Sequence, residues 1–438
     1  MKAVKHSADS LLYAWYVVAV LMLAYTFSFV DRQILSLMVG PIRRDLGISD
    51  TGFSLLSGFS FAVFYTLMGI PLGRYADNHS RRNLVVVGIL FWSLMTTLCG
   101  FARQFWQLFI TRMGVGVGEA ALSPAAYSLI SDYFPKEKLG KAISVYGTGI
   151  YLGAGMAFVV GGLVIEWLSN TPPLHIPLLG TLRAWQLAFI VVGLPGVLFA
   201  LLALTIREPS RQGASSGQNS IPLREVIQFV FSRWQTFVPY ILGISFISLF
   251  GYGVFAWFPE FIHRTYQWKI GDAGIVTGVI VLVFGSAGII SGGIFADTLM
   301  HRGYKDAHLR AVFIGACCLV PFAILFPLMP DANWAFTLFA GVMFFTSFHY
   351  GIIPSGLQIV VPNRMRGQIS ALYLFVNNII GLGFGPTLVG LLTDYLYQDD
   401  ASLYLSLAST AFFTIPIAAA LYYFGLKPYR ACVEEQVG

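Results

Sequence analysis

Apolar runs of about twenty residues follow one another through nearly the whole chain, separated by short polar stretches. Each run is long enough to cross about 30 Å of hydrocarbon as a helix. They predict twelve spans at roughly 13–39, 50–75, 83–102, 105–131, 141–168, 184–206, 236–262, 272–299, 309–329, 332–358, 367–396 and 402–426. Backbone groups in hydrocarbon must be satisfied within the segment, so the expected fold is an all-α membrane protein. The first run begins with Trp15 and Tyr16, an aromatic belt where a helix enters the lipid.

Composition agrees: 56% of the 438 residues are hydrophobic and 11% charged, against about 25% charged in ordinary soluble domains. Basic residues then orient the spans. With the N-terminus inside, Lys2, Lys5, Arg74, Arg81, Arg82, Lys136, Lys138, Lys141, Arg302, Lys305, Arg310, Arg364, Arg366, Lys427 and Arg430 all lie in cytoplasmic segments, as do Arg207, Arg211, Arg224 and Arg233. Arg43, Arg44, Arg103, Arg183, Arg264 and Lys269 fall outside. That bias predicts a multi-pass cell-membrane protein, in the inner membrane if bacterial, with both termini cytoplasmic. The net charge of +6 is accounted for by topology and contact with anionic lipid, so nucleic acid is not an expected partner. Cys99, Cys317, Cys318 and Cys432 have no disulfide-framework or metal-ligand spacing. No cleavable leader is expected, because the first run is too long and carries Asp31.

The chemistry lies in charges placed inside spans. Arg112 and Glu119 stand seven residues apart in the fourth span, about 10 Å along one helical stripe. Gly114 and Gly118 fall on the other side, where a second helix can approach closely. Asp31 and Arg32 close the first span at a depth similar to that of Arg112. Ionised groups so placed cost several kcal/mol unless they face a cavity or one another.

The chain also repeats itself. Gly73, Asp77 and Arg82 after the second span recur as Gly293, Asp297 and Arg302 after the eighth. Pro135, Gly140 and Tyr146 recur as Pro362, Gly367 and Tyr373. Both echoes have an offset of about 220–227 residues and indicate a duplicated six-span unit. The expected organisation is one half at 1–206, a linker at 207–234 and a second half at 235–438. Gly213–Ser220 is flexible by composition, and Ile221–Trp234 mixes apolar and charged positions as a helix lying on the inner leaflet does. The fifth and eleventh spans are dense in glycine, which predicts tight helix contacts or bends.

Through the duplicated halves and the Gly73–Arg82 loop, the sequence resembles the major facilitator superfamily over essentially its whole length. Within it, the chain resembles the Spinster family of lysolipid and sphingolipid transporters, which has bacterial members. That resemblance rests on Asp31-Arg32, on Arg112 followed by Gly116-Val-Gly118-Glu119-Ala120, on Phe134-Pro135 with Lys138-Leu-Gly140, and on Trp257-Phe-Pro259. It implies that Arg112 and Glu119 form a buried charged pair and that Asp31 is a protonatable acid. The chain departs from the superfamily pattern at Asn78-His79-Ser80 and at Ala154 after Gly153, leaving the strength of the loop latch and the direction of coupling open.

Positions matching Arg112 and Glu119 in the second half are Phe339 and Thr346, and its tenth span carries Phe344, Phe345, Phe348 and His349. The expectation is an ionisable first half and an aromatic, apolar second half. Asp31 and Glu119 would couple protons; Arg32, Arg112, Phe345, Phe348, His349 and Tyr373 would bind substrate; Gly73, Asp77, Arg81, Arg82, Gly293, Asp297 and Arg302 would gate. The partners so implied are membrane lipids, protons and a small amphiphilic substrate, moved by a monomer working by alternating access. No cofactor or metal is expected. A proton-linked multidrug or small organic anion exporter stays open, as does a non-transporting sensor or scaffold. An enzyme is disfavoured: the Gly-x-Gly-x-Gly before Glu119 follows no strand, and neither a Gly-x-x-x-x-Gly-Lys loop nor a His-Glu-x-x-His motif occurs.

Overall fold

The computed structural model describes residues 8–169, 174–176, 180–209, 222–362 and 364–437. The flexible stretch expected at Gly213–Ser220 lies outside these residues, as do Lys2, Lys5, Arg211 and Ile221. Among the described residues, eleven helices are long and apolar enough to cross a membrane. They are Leu11–Leu37, Asp50–Asn78, Arg81–Cys99, Lys138–Trp167 and Ala184–Leu204, then Trp234–Tyr266, Ile270–His301, Ala307–Leu328, Ala332–Val360, Arg366–Tyr397 and Asp400–Glu435. The expected fourth span is present as two helices end to end, Phe105–Glu119 and Leu122–Tyr133. The break falls directly after Glu119, where the Ala121 N–H bonds to the Gly118 carbonyl three residues back rather than four.

Contacts divide the chain into two compact units. The first comprises Met1–Gly47 and Ser60–Ser216; the second comprises Ile48–Phe59 and Gly217–Gly438. The N-terminal part of the second span, to Phe59, therefore belongs with the second unit. Its carboxylate Asp50 accepts two bonds from Arg264, at 2.7 and 2.8 Å, and its first backbone N–H groups are capped by Asp394.

Glycine explains much of the packing inside each unit. In the first, a Cβ on Gly153 would stand 2.6 Å from the Thr26 carbonyl, so the fifth span lies backbone-close on the first. In the second, a Cβ on Gly385 would stand 2.5 Å from the Leu249 carbonyl, placing the eleventh span equally close to the seventh. The two halves thus use the same pairing. A further echo is local: a π-helical turn at Leu55–Phe59 in the second span recurs at Val281–Gly285 in the eighth, 226 residues on. Such turns leave the regular hydrogen-bond ladder and often mark functional bends.

Two features depart from the all-α expectation or extend it. A short hairpin, β1 (Leu174–Ile176) against β2 (Gly180–Leu182), pairs antiparallel with Leu174 opposite Leu182 in the connection between the fifth and sixth spans. Within the stretch expected to lie on the inner leaflet, Leu223–Ser232 is helical, with Val226 buried and Phe231 exposed.

Candidate substrate and proton site

Four ionisable side chains meet in the first unit. Asp31 and Arg32 come from the end of the first span, and Arg112 and Glu119 from the helix Phe105–Glu119. All four are buried, Asp31 and Arg112 completely. The expected pairing of Arg112 with Glu119 is corrected here: Glu119 takes Arg32 as its partner, with Arg32 Nη2 2.5 Å from Glu119 Oε2. Arg112 instead donates from Nη1 to the Asp31 backbone carbonyl at 3.3 Å, while its Nε and Nη2 have no partner among the described residues. Seven-residue spacing put Arg112 and Glu119 on one stripe, but 10 Å along that stripe is too far for direct contact, and Arg32 of the neighbouring helix reaches Glu119.

The cluster is under-satisfied. Among the described residues, both carboxylate oxygens of Asp31 and Oε1 of Glu119 lack hydrogen-bond partners. Thr96 and Trp92 of the third span stand beside the Asp31 carboxylate, and the Thr96 hydroxyl and Trp92 indole N–H are themselves unpartnered and buried. Leaving such groups unpaired costs several kcal/mol for charged members. A proton on the acid, a shift toward a donor or an incoming ligand each removes part of that cost.

Aromatic rings hold the arginines in place. The Arg32 guanidinium lies 4.7, 4.3 and 5.3 Å from the ring centres of Phe29, Phe61 and Tyr65, and Arg112 lies 5.6 Å from Phe61. Cation–π attraction of this kind strengthens when water is excluded. Glycine makes room for it: a Cβ on Gly116 would come within 2.6 Å of the Phe61 carbonyl. Gly114 and Gly118 face Met95 and Trp92 of the third span, the close approach expected of them. Sequence reasoning missed Phe61, Tyr65, Trp92 and Thr96; the only signal was their i, i+4 spacing in spans already read as membrane helices.

In the second unit, two expected substrate contacts are corrected. His349 is fully buried, and its ring nitrogens lie 2.7 and 3.0 Å from the Phe345 and Val312 carbonyls, so in either neutral tautomer its single N–H is taken by backbone. Phe348 is buried, its ring against Phe295 and Gly315. Tyr373 is also buried. Phe345 does line a space, a groove of about 610 Å³ that it shares with Ile280, Phe284, Phe336 and Phe344. The half is not wholly apolar, a further correction: Ser248 donates to Asn377 Oδ1 at 2.7 Å and lies 2.8 Å from the Tyr350 hydroxyl.

The expected gating residues fall at matching helix ends. Arg81 is buried and works inside the first unit, bonding Asp132, Glu208, Ser128 and the Pro209 carbonyl. That contradicts its expected use as a latch between halves: four partners in one unit occupy its guanidinium. Arg82 bonds Asn83, while Asp77, Asp297 and Arg302 are exposed. Gly73 and Gly293 were expected to permit close packing, yet a Cβ on Gly73 meets only Pro124 at 3.9 Å and one on Gly293 meets nothing within 4 Å.

Residues 21–386 match the sequence profile of the Major Facilitator Superfamily. The chain belongs to that superfamily. This transporter is 29% identical to an MFS-type efflux pump of Mycolicibacterium smegmatis over 88% of its own length and 86% of the pump's. It is 25% identical to a probable L-galactonate transporter of Escherichia coli, covering 89% of this chain and 85% of that one. A crystal structure of a bacterial homologue of the human lysosomal transporter Spinster, inward-facing and unoccupied, superposes with a TM-score of 0.77 at 25% identity, over 97% of this chain and 98% of that one. Homologues and fold are those of membrane transporters working by alternating access, not of enzymes, and they include Spinster proteins.

Proposed function

We infer that this transporter couples protons to the movement of an amphiphile with an anionic headgroup. The observation that carries the reading is the buried cluster in which Arg32 holds Glu119 while Asp31 and two nitrogens of Arg112 stand unpartnered. An incoming phosphate or carboxylate offers Arg112 the charge-assisted partner it lacks. Protons on Asp31 and Glu119 alter which acid the arginines hold, and a difference in proton affinity between the two facings then links a gradient to transport. The groove lined by Phe345 supports a place for an acyl tail, because its walls are almost entirely apolar. Topology with both termini cytoplasmic, in a cell membrane, and a monomeric state complete the proposal.

A second reading, export or uptake of a small organic anion, is favoured by the similarity to a probable L-galactonate transporter. Flux into liposomes separates the two: competition by lysophospholipids supports the amphiphile, and competition by small hydrophilic anions alone overturns it. Arg112→Ala is expected to weaken binding of the anionic amphiphile by about tenfold or more, the loss of a hydrogen bond to a charged group. Unchanged affinity removes Arg112 as the headgroup contact.

A further inference from the structure

Within the second unit, three spans meet at one serine. Ser248 of the helix Trp234–Tyr266 is fully buried and has a single hydroxyl proton, which it donates to Asn377 Oδ1 at 2.7 Å. Its 2.8 Å contact with Tyr350 must then run the other way, with the phenol donating to the serine oxygen. The chain of bonds, Tyr350 to Ser248 to Asn377, has a fixed direction and uses up the amide oxygen of Asn377. The amide nitrogen is left. Asn377 is 3% exposed, yet its Nδ2 donates to no described residue and is not among the side-chain atoms sealed from solvent without a partner. Its two N–H groups are thus left without a partner among the described residues.

Local backbone geometry keeps it there. Asn377 ends the regular helix Arg366–Asn377, and a π-helical stretch, Asn378–Gly383, follows directly. Gly381 sits so close to Ser248 that a Cβ would stand 2.5 Å from the serine Cβ. No charged side chain takes part in the triad, so it offers an acceptor oxygen a hydrogen bond without an opposing charge, which suits a neutral hydroxyl or carbonyl oxygen.

We propose that Asn377, positioned by Ser248 and Tyr350, is a second recognition point that binds an uncharged oxygen of the substrate, a hydroxyl or an ester carbonyl. This rests on the amphiphile reading for its first probes and extends it by naming a neutral oxygen of the substrate as a group that is read. A purely structural role, an interhelical bond among spans 7, 10 and 11, predicts no discrimination between ligands.

The test is thermal stabilisation of the purified full-length protein by matched ligands. The probes are a lysophospholipid, its ether-linked analogue and its deoxy analogue, together with glucuronate and a series of monodeoxy glucuronates. The wild type is expected to bind the parent about tenfold more tightly than one analogue in a class, the worth of one good hydrogen bond. Loss with the ether marks the carbonyl as the group read, and loss with a deoxy compound marks the hydroxyl. Asn377→Leu should bring parent and analogue within twofold of each other; Tyr350→Phe, which keeps the amide but frees the serine, should narrow the gap. Stabilisation by glucuronate and by no lysophospholipid would displace the amphiphile reading and leave the neutral-oxygen site to be judged on the deoxyglucuronates. Equal ranking of parents and analogues by the wild type in both classes overturns the proposal, as does a gap that survives both substitutions.

Discussion

Single residues in the first unit show what sequence spacing can and cannot reveal. That Asp31, Arg32, Arg112 and Glu119 belong to one site was legible, because charges inside apolar runs must find one another or a cavity. Their pairing was not legible, since it depends on how two helices are rotated against each other, and that rotation is set by glycines and rings spread over three spans. Gly118 is one such control. An added Cβ would stand 2.7 Å from the Trp92 backbone nitrogen and 2.8 Å from its Cβ, so the third span must move to accept it. Gly118→Ala is expected to destabilise the protein by about 1–3 kcal/mol, the usual cost of overpacking, read as a lower thermal midpoint in detergent. Gly293→Ala is the contrast: with nothing within 4 Å, it should leave the midpoint unchanged or slightly raised.

At the scale of elements, length and hydropathy located the spans well, and the structure refined their character. The fourth span breaks after Glu119, and π-helical turns sit at equivalent places in the second and eighth. Apolar content does not encode such turns, which follow from packing. Two carboxylates outside the spans tie helix ends together. Asp306 is buried between Arg310 at 3.0 Å and Arg430 at 2.7 Å. Burial opposes its ionisation, but the hydrogen bonds and charges of the two arginines outweigh that and hold its carboxyl below the usual carboxylate range. Glu208 behaves likewise, burial being outweighed by the Arg82 N–H, Arg81 and Ser80. A depressed folded-state value stabilises the fold above the ordinary carboxylate range and is lost as pH falls through the depressed value. Thermal midpoints should therefore drop steeply on acidification below about pH 4. Asp306→Asn should flatten that drop while lowering stability at neutral pH; an unchanged acid profile in this variant contradicts the assignment.

For the whole molecule, duplication was readable from two loop echoes, and the structure adds matched helix pairings in each unit and matched π-turns in the second and eighth spans. Less legible was the asymmetry between the halves. The second was expected to be apolar, yet it carries the Ser248, Tyr350 and Asn377 triad, whose neutral residues stand out from neither charge nor motif. His349 was assigned to the substrate because a titratable residue in a span attracts a functional role; here it is fully buried, with the Phe345 and Val312 carbonyls beside its ring nitrogens. The first unit holds the buried ionisable cluster, and the second holds the neutral Ser248, Tyr350 and Asn377 triad.

The central claim is proton coupling through Asp31 and Glu119, and substrate flux in liposomes under an imposed pH gradient tests it most directly. Wild-type flux should rise with the gradient, whereas Asp31→Asn and Glu119→Gln should each lose that dependence while still binding substrate. Flux that stays driven by the pH gradient in both variants would contradict the account.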